Sequence, residues 1–129
     1  MINYGFVKEV TGSVEETEKV VREELQKEGF GVLTRIDMSE KFKEKLGKDF
    51  RKYLILGACN PPNAFKSVSA EEDIGLLLPC NVIIHEKAGK TILGIIKPTV
   101  AMSMVDNQEL GDVAGTVEAA LKRVFDAIS

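Results

Sequence analysis

The chain has 129 residues, 44% of them hydrophobic and 29% charged, with 17 basic against 20 acidic residues for a net charge of −3. That size and balance predict one soluble domain with an ordinary buried core, and argue against a disordered tail or a membrane span. The charges are interspersed, and even the basic stretch from Lys41 to Lys52 is interrupted by Glu44 and Asp49, so a nucleic-acid partner gets no support.

Tyr4 to Val10 carries β-branched and aromatic residues in partial alternation and reads as a first strand, ended by a turn at Thr11-Gly12. Ser13 with Glu16 forms a capping-box pattern, in which each side chain satisfies a backbone donor of the other at a helix start. The helix runs to about Glu28. Val14, Thr17, Val21 and Leu25 make its apolar stripe, Val20 widens it, and Gly29 supplies the C-terminal cap.

Phe30 to Ile36 reads as a second strand, and Asp37-Met38-Ser39 caps a charged helix from Glu40 to Leu46 that Gly47 closes. Arg51 to Ala58 contains a continuous apolar run, as expected of a central strand buried on both faces. Cys59-Asn60-Pro61-Pro62 breaks it, since neither proline can donate to a ladder, and Pro62 or Asn63 opens a short helix through Val68. An apolar segment from Ile74 to Pro79 precedes a strand from Cys80 to Glu86. Ala88-Gly89-Lys90 then turns the chain into Thr91 to Lys97, giving an antiparallel hairpin.

Pro98 ends that strand. Thr99 to Val105 forms either a last edge strand or an irregular crossing, and a final helix runs from Glu109 or Asp112 to Ile128. Its buried stripe includes Val113, Val117, Leu121 and Val124. The expected fold is α+β, an antiparallel sheet packed against helices mainly on one face, in the order β-α-β-(α)-β-α-β-β-β-α. Strands Leu54 to Ala58 and Ile92 to Ile96 are apolar on both faces, so the uncovered face needs a cover, and a homodimer is the simplest one.

Two phrases stand out: Tyr53-Leu54-Ile55-Leu56-Gly57-Ala58-Cys59-Asn60-Pro61 and Ile74-Gly75-Leu76-Leu77-Leu78-Pro79-Cys80-Asn81-Val82. In order and spacing they resemble the signature of the prokaryotic family called domain of unknown function 302, and the likeness covers nearly the whole chain. The resemblance implies a compact α+β fold, an antiparallel sheet and homodimers. It implies no established reaction. It also implies that Cys59-Asn60-Pro61, Gly75 and Pro79-Cys80-Asn81 lie near one another.

Cys59-Asn60-Pro61 falls at a strand end and a helix start, a place where sheets bind ligands and where helix N-termini present backbone donors to anions. Asn60 and Asn81 could orient a ligand; equally, each could close a turn by bonding local backbone. Cys59, Cys80 and His85 are the only soft or imidazole ligands. On a regular strand His85 points away from Cys80, so no metal site is assigned. The two cysteines read either as a thiol pair or as small buried hydrophobes. No phosphate loop, dinucleotide fingerprint or nucleophile elbow is present, and no catalytic residue or cofactor is assigned.

The first residues lack a secretory pattern, which predicts a cytoplasmic chain with reduced thiols and no membrane or nucleic-acid partner. The resulting expectation is a dimeric small-ligand-binding domain with a pocket bordered by Cys59, Asn60, Pro61, Gly75, Pro79, Cys80 and Asn81. Two alternatives stand beside it: a thiol-dependent redox or metal-handling protein using Cys59 and Cys80, and a structural or interaction module.

Overall fold

A computed structural model describes residues 2–129. The chain folds as β1 (Gly5–Val10), α1 (Val14–Lys27), β2 (Gly31–Asp37), α2 (Met38–Leu46), β3 (Tyr53–Cys59), α3 (Pro61–Ala70), a 3-10 segment (Glu72–Leu77), β4 (Cys80–Lys87), β5 (Lys90–Ile96), α4 (Pro98–Ala101) and α5 (Gln108–Ala127). The strands make one five-stranded sheet in the order β1-β5-β4-β3-β2, every neighbouring pair antiparallel. No helix among the described residues is long and apolar enough to cross a membrane.

Local chemistry fixes the helix ends. Ser13 accepts from the Glu16 amide at 3.1 Å while its own amide donates to Glu16 Oε1 at 3.0 Å, closing the capping box at the start of α1. Gly29, at φ +82°, lets the chain leave α1 and enter β2. Asp37 caps α2, and Gly47, at φ +64°, ends it.

The core lies between one sheet face and the two long helices. Leu54, Leu56 and Ala58 of β3, Val82 and Ile84 of β4, and Leu93 and Ile95 of β5 point into it. Val21 and Leu25 of α1 and Val117, Leu121 and Val124 of α5 meet them there. At about 25 cal/mol per Å² of apolar area, each fully buried leucine or isoleucine contributes roughly 1.5–3 kcal/mol before its entropy is charged against it.

The opposite sheet face has a different character. The register aligns Val7, Gly94, Ile83, Ile55 and Ile36 in one row across all five strands. Val7 is 47% exposed and Ile36 40%, so the row is apolar and uncovered within the chain. A Cβ on Gly94 would come within 2.8 Å of Ile83 Cγ1, so the missing side chain lets Ile83 lie flat across β5. Beside this row Tyr53 stacks on His85, ring centroids 4.9 Å apart.

The structure corrects one expectation. There is no strand over Thr99 to Val105: Pro98 instead opens the short helix α4, followed by turns. The place beside β5 that a last strand would occupy is taken by β1, which pairs with β5 from Gly5↔Ile96 to Val10↔Thr91. The apolar strand β3 lies inside the sheet, as expected, paired with β4 on one side and β2 on the other, with β4 at the midpoint.

Candidate functional site

The break between β3 and α3 is built by Asn60. Its Oδ1 accepts the Asn63 amide at 3.2 Å and so caps α3, and Pro61 and Pro62 occupy the first helical positions, where a missing N–H costs nothing. Its Nδ2 donates to the Glu28 carbonyl at 3.3 Å, binding the end of α1 to the start of α3. The Asn60 side chain thus engages the Asn63 amide and side chain in the first turn of α3 and the Glu28 carbonyl at the end of α1.

Across the sheet the second phrase arrives at the same place. Ala58 is the register partner of Cys80, so Cys59 ends β3 where Cys80 begins β4. Pro79, joined to Leu78 by a cis peptide bond, lies over Gly57. A Cβ at Gly57 would come within 2.6 Å of Pro79 Cγ and would collide with Thr34 Oγ1, so only glycine admits the proline ring there.

These strand ends open into a cavity of about 290 Å³. Ala58, Cys59, Pro79 and Cys80 form its sheet side, and Phe30, Leu33 and Thr34 come from the start of β2. Asn60, Asn63, Ala64 and Ser67 line it from α3. Pro98 and Met102 close another side, and Val113, Ala114 and Val117 of α5 make the floor. None of the lining residues is charged.

Four of the residues expected at a pocket therefore meet there: Cys59, Asn60, Pro79 and Cys80. Three lie outside its walls. Pro61 is exposed in the first turn of α3, Gly75 is exposed in the 3-10 segment, and Asn81 faces outward from β4 opposite Gly57. No sequence pattern marks the residues of β2, α4 and α5 as pocket residues. Val113 and Val117 do belong to the helical stripe legible in the sequence, and that stripe outlined the floor without marking it as a cavity.

Cys80 is 8% exposed, and burial, helped by the neighbouring Cys59, pushes its thiol from 9.0 up to about 11. It is a protonated thiol at neutral pH. His85 sits on the far sheet face, its pKa lowered by burial and by the positive charges of Arg51 and Lys87. Among the described residues no three histidine, cysteine or acidic side chains gather as a metal-binding group.

The sequence model of the family described as domain of unknown function DUF302 matches residues 6–128. The crystal structure of an uncharacterized conserved protein DUF302 from Bacillus stearothermophilus is similar at 31% identity and TM-score 0.91, with 98% of each chain covered. No curated protein matches the chain.

Proposed function

The chain belongs to the DUF302 family, and on that premise we propose that it is a small-molecule-binding domain whose site is the cavity at the ends of β3 and β4. One observation carries this reading: two separate Cys-Asn phrases, distant in sequence, converge with α3, α4 and α5 around a space of about 290 Å³. That volume is close to the lower end of ordinary ligand pockets, roughly 300 Å³. The test is a native mass spectrum of freshly purified protein beside its denatured mass. A noncovalent excess mass that disappears in Ala114→Phe supports the reading; an excess that survives a filled cavity would place the ligand elsewhere.

The rival, a thiol-dependent redox or metal-handling protein using Cys59 and Cys80, has the burial of the Cys80 thiol against it, while Cys59 is only half-buried. A group that loses its proton only near pH 11 supplies little nucleophile or soft-metal ligand at neutral pH.

A homodimer through the uncovered sheet face belongs to the same proposal. The row from Val7 to Ile36 crosses every strand, and strands apolar on both sides ordinarily have both sides covered. A second copy, carrying the same row, offers a self-complementary cover.

A further inference from the structure

We propose that the ligand of this cavity is an uncharged, predominantly apolar molecule carrying at most one neutral polar group. The inference rests on the cavity being the binding site and adds the chemical class it takes.

The start of α3 is where an anion would be expected. A helix start attracts anions through its unpaired amides. Here none remains free. Pro61 and Pro62 have no N–H, the Asn63 amide donates to Asn60 Oδ1 at 3.2 Å, and the Ala64 amide donates to the Asn60 carbonyl at 2.8 Å. Two side-chain donors are committed as well: one amide hydrogen of Asn63 donates to Asn60 Oδ1 at 3.1 Å and the Ser67 hydroxyl to the Asn63 carbonyl at 2.9 Å.

Charge gives the second step. No acidic, basic or histidine side chain lines the space, so a carboxylate, phosphate or ammonium seated among these residues would shed hydration without gaining an ion partner. The walls offer alkyl groups from Leu33, Met102, Val113, Ala114 and Val117, together with the two cysteines. The Thr34 hydroxyl and the second amide hydrogen of Asn63 are neutral and can meet one hydroxyl or carbonyl.

Size gives the third. An engineered apolar cavity of about 150 Å³ holds benzene, so the present 290 Å³ suits a molecule of roughly twelve non-hydrogen atoms.

The experiment compares three probes of matched chain length, octanol, octanoate and octylammonium, titrated at neutral pH into the protein with ¹³C-labelled methyl groups. Octanol is expected to shift the Met102, Val113 and Ala114 resonances saturably, and both charged analogues to bind at least about tenfold more weakly. Ala114→Phe should abolish the octanol response, with Ala64→Leu as the second filling variant should the first fail to fold. Octanoate or octylammonium binding in the cavity as tightly as octanol would overturn the inference about charge and leave the binding site standing. A response that persists in a folded, cavity-filled variant would overturn the site itself. No response to octanol, while the purified protein still carries a cavity-dependent excess mass, would overturn the apolar class alone.

Discussion

Asn60 and Glu28 are joined by a hydrogen bond of 3.3 Å, from the Asn60 Nδ2 to the Glu28 carbonyl, across a sequence separation that only the folded chain closes. The same side chain caps α3, so one residue holds the exit of α1 and the start of α3 at the mouth of the cavity. Asn60→Ala should lose the bond to Glu28 and the cap on α3, together about 2 kcal/mol at roughly 1 kcal/mol each. Asn60→Asp keeps the cap acceptor and loses only the donor, so its loss should be about half as large. Urea unfolding with an unchanged slope is the measurement, and an unmoved midpoint in Asn60→Ala would show that the bridge contributes nothing.

The two glycines of the Cys-Asn phrases should behave in opposite ways. At Gly57 a methyl group meets Pro79 Cγ at 2.6 Å and has Thr34 on its other side, so Gly57→Ala should cost about 1–3 kcal/mol through overpacking. Nothing lies within 4 Å of a Cβ at Gly75, and that glycine has no positive φ, so Gly75→Ala should stay within about 0.5 kcal/mol. Thermal melts of the pair decide it: equal losses would contradict the close approach of Pro79 to the sheet.

That contrast also shows what the sequence could reveal. Ser13 with Glu16, the hairpin at Gly89 and the apolar stripe of α5 are local patterns, and the structure contains each. The pairing of β1 with β5 joins residues far apart in the chain, and no local pattern announces it, so the sequence leaves Thr99 to Val105 free to be an edge strand. The same division holds at the cavity. Cys59, Asn60, Pro79 and Cys80 were legible because apolar strands turn polar there, whereas Asn81 shared the phrase but not the place, since one step along a strand turns a side chain to the other face. Met102 and Ala114 reach the cavity through helix packing alone.

Cys80 gives the protein an alkaline weakness with a definite sign. Its folded pKa is raised from 9.0 to about 11, so the neutral thiol is the form the fold favours. Below pH 9.0 both folded and unfolded chains hold the proton and the contribution is complete; between 9.0 and about 11 the unfolded chain gives it up first, and stability falls by up to roughly 1.4 kcal/mol per pH unit. Lysines titrate in the same range, so the comparison is with Cys80→Val, which fills similar space and does not ionise. Urea midpoints at about pH 8 and about pH 10 should drop further in the wild type than in the variant; parallel drops would mean the thiol is not held neutral.

Ile83 lies on the central strand, in the row that runs from Val7 through Gly94 and Ile55 to Ile36. In an isolated chain a lysine at this position could extend its ammonium into water from the half-open face at little cost. Between two copies the same charge would be trapped against its symmetry mate, losing hydration and meeting a like charge. We therefore expect the wild type to sediment as a dimer at micromolar concentration and Ile83→Lys to sediment as a folded monomer with its circular dichroism intact. A wild-type monomer would remove the dimer proposal. A dimer that survives the substitution would move the interface off this sheet face, and the uncovered row would then need another explanation.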